Sequence, residues 1–326
     1  MKAIYVREPG GPDVLELRET DTPEPGHGEV LIDVTAAGLN RADVQQRKGL
    51  YPPPGGISEV PGLEVSGQVA ALGPDVEDGL AVGDAVVALL AGGGYAEQVV
   101  APAGQVLPVP EGMDLTTAAA LPEVAATVFS NLFMAAGVRA GDTVLIHGGA
   151  GGIGTMAVQL VKAFDARAAV TAGSPEKLEV AAILGAEVLI NYREQDFVQE
   201  IKNATDGRGA DVILDVVGAK YLERNVEALA VSGRLVVIGL QGGAKAELNL
   251  GMLMGKRAAV LGTTLRARSV AEKTTIMRAV GEHVWPLIRS GKVRPQVDRT
   301  FPLADAAAAH EYFDSGSHTG KVLLTV

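Results

Sequence analysis

The sequence contains no cysteine, which excludes disulfides, thiolate zinc ligation, haem attachment and thiol nucleophiles together. Basic residues are in deficit: 28 Lys and Arg stand against 39 Asp and Glu, a net charge of −11. With no long basic run to interrupt that balance, nucleic acid and anionic membrane surfaces are excluded as expected partners. Nowhere do about 18 apolar residues run uninterrupted. The first residues, MKAIYVREPGG, carry neither an apolar signal core nor an Arg/Ser-rich amphipathic helix. The expectation is a cytoplasmic protein. Three catalytic signatures are also missing: the G-x-x-x-x-G-K-[ST] phosphate loop, the G-x-S-x-G hydrolase elbow and a tyrosine followed four residues later by lysine.

What is present is organised in two styles. Up to about Val109 the chain consists of short β-branched or alternating runs (AIYV, EVLIDVTAAG, EVSGQVAALG, AVVALL) broken by PGGP, TPEPGHG, YPPPGG and LAGGG. This spacing predicts an irregular, mostly β domain. The period turns helical around DLTTAAALPEVAATVFSNLFMAAG, placing a boundary near residue 120. From Asp142 strands and helices alternate strictly: TVLIH, AAVTA, EVLIN, DVILDVVG, RLVVIG and AAVLGTT are apolar runs separated by helical text. Six such runs predict a doubly wound α/β domain with a parallel sheet. A long helical stretch, SVAEKTTIMRAVGEHVWPLIRSG, then leads to a last strand. The expected domains are residues 1–121 and 265–326, two parts of one catalytic domain, flanking a dinucleotide domain at 122–264.

HGGAGGIG follows the strand TVLIH and opens a helix, and Gly149, Gly151 and Gly154 in it fit G-x-G-x-x-G, with Gly152 and Ile153 between them. Glycine permits the tight turn and close backbone approach to a pyrophosphate, and the helix N-terminus offers it free N–H groups. About twenty residues on, an NAD site carries an acid for the ribose 2′-hydroxyl. Here the text is TAGSPEK. Gly173 and Ser174 repel no 2′-phosphate, and the Lys177 ammonium stands one helical turn in, so NADPH is the expected cofactor. Tyr192, in LINYR, is either a second neighbour of that phosphate or a surface-turn tyrosine. Gly239, Leu240 and Gln241 follow the strand RLVVIG on the side where such folds bind ligands, and are expected near the nicotinamide ribose.

Several blocks in order, NRADVQQRKGLYPPPG, LPEVAATVFSNLF, HGGAGGIGTMAVQL, TAGSPEKL and GTTLRARS, resemble the medium-chain dehydrogenase/reductase superfamily. In its zinc alcohol dehydrogenases the equivalent of PGLEVSG reads G-H-E-x-x-G. Leu63 stands here at the histidine position and Asn40 at that of the upstream cysteine. The five histidines are scattered, so no metal site is expected. The narrower resemblance is to the zinc-free NADPH:quinone oxidoreductases of the zeta-crystallin type, closest to the tumour-suppressor-induced type. It implies a Rossmann domain with a GroES-like catalytic domain, and a homodimer formed through cofactor domains. It also implies 2′-phosphate contacts at Gly173, Ser174, Lys177 and Tyr192, Thr127 near the nicotinamide carboxamide, and a cleft lined by Asn40, Asp43 and Tyr51.

The residues themselves leave alternatives. Tyr51 either hydrogen-bonds the acceptor carbonyl or anchors its Pro-rich loop. Asn40 either positions the carbonyl or satisfies local backbone, and Asp43 either makes a salt bridge or turn cap or moves a proton. Thr127 is otherwise a helical threonine bonding its own backbone. Lys321, in HTGKVLL, is either a second charge for the phosphate end or an exposed lysine. Glu64 is expected to pair with a base such as Arg41 or to cap backbone N–H groups, the alternative being that it handles a proton. The leading functional expectation is hydride transfer from NADPH to a quinone, an acceptor electrophilic enough to do without zinc. The others are a reductase of activated double bonds, in 2-enals or enoyl thioesters, and an NADPH-binding protein without turnover.

Overall fold

A computed structural model of the chain describes residues 1–76 and 79–326. The chain forms two compact units, Met1–Ala126 with Leu265–Ser290 and Pro295–Val326, and Thr127–Thr264 with Gly291–Arg294.

The first unit is built on the ten-residue strand Glu29–Gly38, whose sequence EVLIDVTAAG is long enough to pair with three others. Its early half pairs antiparallel with Gln98–Pro102, its late half with Lys321–Thr325, and nearly its whole length with Glu64–Leu72. Val297–Pro302, Ala85–Leu89 and Val106–Pro108 complete a seven-stranded sheet, and Lys2–Val6 with Leu15–Glu19 forms a separate hairpin. Val30, Ile32, Val65, Val69 and Val86 are almost wholly buried, so alternate residues of these strands form the core.

The second unit is the doubly wound domain. Its strands run parallel in the order Val188–Asn191, Arg167–Ala172, Thr143–His147, Ala210–Asp215, Leu229–Val237, Ala259–Gly262. The strand order reverses between Thr143–His147 and Ala210–Asp215, the switch point where such sheets bind ligands beyond the strand C-termini. Helices Gly152–Ala163, Pro175–Leu184 and Phe197–Ala204 follow successive strands. The second starts at Ser174, whose side chain accepts the Lys177 N–H, and stops at Gly185 with φ 112°.

Three details differ from the sequence expectation. The first boundary falls at Ala126/Thr127, inside helix Pro122–Val128, because the Glu64 carboxylate accepts the Glu123 N–H at 2.8 Å and ties the helix start to the first unit. Arg294 goes with the second unit because the Gln159 amide accepts its N–H and donates to its carbonyl, at 2.8 and 2.9 Å. The long C-terminal helix is two, Val270–His283 and Trp285–Arg289. Pro286 cannot supply the N–H that would continue the first. The stretch Leu115–Ala135 is apolar and long enough to cross a membrane, and 78% of its most apolar 18-residue window is buried.

Candidate functional site

The dinucleotide turn of the second unit is shaped by missing side chains. A Cβ on Gly149 would meet Val170 at 2.5 Å, and one on Gly154 would enter the Gly149 backbone at 2.6 Å. These two glycines let turn, helix and neighbouring strand close on one another. Gly151 differs: a Cβ there would meet only the Gly148 carbonyl, at 3.7 Å, and Gly151, Gly152 and Ile153 remain partly open to solvent. The turn thus presents the N-terminus of a twelve-residue helix to an incoming anion, which fits a dinucleotide pyrophosphate.

Beyond the next strand the structure brings four of the expected residues together. A Cβ on Gly173 would lie 2.5 Å from the Tyr192 hydroxyl and 3.4 Å from Arg193 Nε. Ser174 caps the following helix, Lys177 lies in its first turn, and Glu176 hydrogen-bonds the Ser174 side chain. Arg193, missed in the sequence, is exposed beside Tyr192 and adds a guanidinium to this corner. Its only sequence signal was its place after Tyr192 in LINYR.

At the switch point two loops are laced together. Gln241 N–H donates to the Val216 carbonyl at 3.2 Å, Gly242 N–H to Val217 at 2.6 Å and Ala219 N–H to Gly243 at 3.0 Å. Gly239 is required because a Cβ would strike the Val216 carbonyl at 2.7 Å, and Leu240 is left largely exposed. Asp215 fixes the turn below, accepting the Val217 and Gly218 N–H groups at 2.7 and 3.0 Å, while burial pushes its carboxyl up to about 6. His147, one strand over, is held neutral, with burial lowering it to about 4. Thr171 Oγ1 lies 3.0 Å from its Nδ1, and Asn225 Oδ1 lies 2.8 Å from its Nε2. Thr127 is buried, its carbonyl accepting Ser130 Oγ and Asn131 Nδ2.

The expected acceptor residues all lie in the first unit, and there the structure corrects several of them. Asn40 starts helix Arg41–Arg47, and its amide donates to Glu64 Oε1 at 3.0 Å and to the Gly38 carbonyl at 3.3 Å while accepting from Lys321. Asp43 is wholly buried and accepts the Asn40 N–H, the Gly62 N–H and the Tyr95 hydroxyl. Burial raises its carboxyl to about 6. The Asn40 side chain is used up on Glu64, Gly38 and Lys321, and that of Asp43 on the helix N-terminus, Gly62 and Tyr95, so neither has a polar atom to spare for an acceptor as expected; the cap reading of Asp43 is the one that fits.

Lys321 is corrected too. Its three ammonium hydrogens go to the Leu39 carbonyl and Asn40 Oδ1, each at 2.7 Å, and Glu64 Oε1 at 2.5 Å, so none serves a phosphate. Glu64 therefore pairs with Lys321 and not with Arg41, which pairs with Asp314 at 3.3 Å. The Gly38 position must be glycine because a Cβ there would strike the Glu64 carboxylate. Leu63 is buried, and among the described residues no three His, Cys, Asp or Glu side chains gather to hold a metal. A zinc ion does not fit this donor set.

Tyr51 is half-buried. Burial raises its phenol above the usual range, and Arg266 and Glu123 are the charged groups that act on it. The Arg266 guanidinium lies 5.5 Å from the ring centroid.

Comparison with known proteins agrees with both units. Residues 152–280 match the zinc-binding dehydrogenase family and residues 26–111 the alcohol dehydrogenase GroES-like domain. A quinone oxidoreductase of Pseudomonas aeruginosa is 34% identical over 99% of each chain. The Escherichia coli quinone oxidoreductase, solved in complex with NADPH, superposes with a TM-score of 0.89 at 31% identity over 100% of both chains. The CurK enoyl reductase gives 0.87 at 28% identity, covering 99% of this chain and 98% of its own. With a full-length relative at this identity and both domains matched, the chain belongs to the medium-chain dehydrogenase/reductase family, among its quinone oxidoreductases.

Proposed function

We propose that this protein is a zinc-independent oxidoreductase of the cytoplasm that reduces quinones at the expense of NADPH. NADPH supplies the hydride when bound. The pyrophosphate is assigned to the turn Gly149, Gly151 and Gly154, and the 2′-phosphate to Gly173, Ser174, Lys177 and Tyr192, with Arg193 in the place first given to Lys321. Thr127, Gly239, Leu240 and Gln241 are assigned to the nicotinamide end. The observation that carries the reading is that Leu63 and a fully committed Asn40 occupy the positions where the zinc enzymes hold their metal. An acceptor polarised by no metal must be electrophilic by itself, as a quinone is. Tyr51 is assigned to the acceptor carbonyl as hydrogen-bond donor.

The test is steady-state NADPH oxidation with benzoquinone, phenanthrenequinone and a 2-enal. Turnover with the quinones is expected; turnover with the enal alone would replace this reading by double-bond reduction. That second reading draws support from the likeness to CurK and from Tyr51, a hydroxyl able to protonate an α-carbon. NADPH binding without any turnover would instead support a non-enzymatic role.

A homodimer through the second unit belongs to the same proposal. Ala259–Gly262 is the end strand of its sheet, and helix Leu250–Lys256 beside it buries no residue, leaving Leu250 and Met254 62% and 76% exposed. An unpaired edge with an apolar flank favours pairing with a second copy. Analytical ultracentrifugation should find a dimer that Met254→Glu weakens; a monomeric wild-type chain overturns this part.

A further inference from the structure

Arg266, the charge beside the Tyr51 ring, has no part in the proposed function, yet it is almost wholly buried and every nitrogen of its guanidinium is used. Nε donates to the Ala91 carbonyl at 2.6 Å, Nη1 to the Tyr51 carbonyl at 3.3 Å and Nη2 to Gln46 Oε1 at 2.7 Å. Gln46 passes the connection on: its amide donates to the Glu59 carbonyl at 2.8 Å. The segment from Tyr51 to Glu59, YPPPGGISE, is therefore clipped at both ends, by Arg266 and by Gln46. Lys273, also buried, reaches from helix Val270–His283 to the Arg266 carbonyl at 3.5 Å and holds the clip from behind.

The charge arrangement is unusual for a structural clip. Arg266 and Lys273 are two buried cations, and neither forms an ion pair with a carboxylate among the described residues. Burial lowers both, and Arg266 lowers Lys273 further. The charged or titratable groups acting on Arg266 are Asp43 and Tyr51, and those acting on Tyr51 are Arg266 and Glu123. A buried positive charge costs desolvation free energy, which a purely mechanical clip could avoid with a neutral donor. Its location over an aromatic ring gives it an electrostatic use. A cation beside the face of a phenol draws electron density from the ring and makes its O–H the stronger hydrogen-bond donor.

We propose that Arg266 is a positioning residue for the acceptor: it fixes the Tyr51 loop through its fork of donors and, through its charge, strengthens the Tyr51 hydroxyl as donor to the acceptor oxygen. This rests on the reading of the first unit as the acceptor site. When a quinone gains a hydride it becomes a monoanion of the quinol, with the new negative charge on the oxygens. The Tyr51 O–H stabilises that oxygen without giving up its proton, and the second proton of the quinol comes from solvent, so Tyr51 needs no reprotonation between cycles. A donor aimed at an oxygen on which charge develops lowers the barrier more than the ground state.

The test combines a double-mutant cycle with a titration. Tyr51→Phe should lower kcat for quinone reduction about 100-fold, and Arg266→Met about 10-fold, with the KM for NADPH unchanged. In the Tyr51→Phe background Arg266→Met should cost less than about 2-fold, because its effect passes through the hydroxyl that is already gone. An undiminished loss in that background overturns the proposal. The titration uses cofactor-free protein: the alkaline ultraviolet difference between wild type and Tyr51→Phe isolates the Tyr51 phenol. Its ionisation should move to higher pH in Arg266→Met and return part of the way in Arg266→Lys. If Arg266→Met does not fold, Arg266→Gln, which keeps donors and removes charge, carries the same expectation. No shift in any of these variants overturns the inference while leaving quinone turnover intact. Failure of the wild-type protein to reduce any quinone would overturn the proposed function, and the titration would still report on Arg266 and Tyr51.

Discussion

In the first unit Asp43 and His310 are joined through one hydroxyl: Tyr95 Oη donates to Asp43 at 3.1 Å and lies 3.2 Å from His310 Nε2. In the second, Asp215 and His147 end neighbouring parallel strands with no hydroxyl between them, and the Asn225 side chain acts on both, its Oδ1 lying 2.8 Å from His147 Nε2. The chemistry is matched, one buried carboxyl pushed up and one buried imidazole pushed down in each unit, but the purposes differ. Asp43, Tyr95, His310 and Arg47, which continues the chain to Asp314 at 2.6 Å, bind three distant segments into one interior. Asp215 and His147 stand at the C-terminal ends of their strands, at the switch point of the sheet, and Asp215 holds the loop that follows it through the Val217 and Gly218 N–H groups. One region is polar where it must hold itself together, and the other where it must hold a loop in shape.

The comparison breaks most severely at the buried ion pair of the first unit. Lys321→Met leaves the Glu64 carboxylate buried without its cation and should cost about 3–5 kcal/mol of stability in urea unfolding. A cost under about 1 kcal/mol would mean that water reaches Glu64. On the other side, Gly154→Ala forces a methyl into the Gly149 backbone and should cost about 1–3 kcal/mol. NADPH affinity should fall with it, since the turn has to open. Smaller again is Lys177→Ala, which should weaken NADPH about 10-fold, roughly 1.4 kcal/mol, and leave NADH untouched in fluorescence titrations. Equal loss for both coenzymes would remove Lys177 from the phosphate corner.

The legibility of the two regions differs for the same reason. The glycine turn, the six apolar strands and TAGSPEK are local patterns, and Gly149, Gly154, Gly173 and Lys177 stand where their spacing places them. Lys321 reaches Asn40 across 281 positions and Arg47 reaches His310 across 263, and no local pattern announces such pairs. Hence Lys321 reads as an exposed or phosphate-binding lysine, and Asn40 and Asp43 read as acceptor contacts, when their donors and acceptors are spent on one another. Arg266 lies in a quoted block, GTTLRARS, but its partners Ala91, Tyr51 and Gln46 come from three other segments. Pro286 is a local signal that the helical periodicity around it conceals.

The faintest expected effect is a slope near zero. A buried histidine with a lowered value contributes stability that is present above its unfolded value of 6.5 and is lost as pH falls toward about 4 for His147 and about 3 for His310. A buried aspartate with a raised value does the reverse: its contribution is present below 3.8 and is lost as pH rises through about 6, for Asp43 and Asp215 alike. Between about pH 4.5 and 5.5 the unfolded chain holds two protons on these histidines and the folded chain holds two on these aspartates, so the four groups cancel. Taking the difference between wild type and variant removes the surface carboxylates, and His310→Gln or His147→Gln then leaves one aspartate unopposed. Stability relative to wild type should fall by about 1.4 kcal/mol per pH unit as pH rises through that window, with the same sign and size for either unit. A slope in His310→Gln without one in His147→Gln would show that Arg47, Arg41 and Asp314, the charges acting on His310, give the first unit a proton balance that the second, with Arg224 alone acting on His147, does not share.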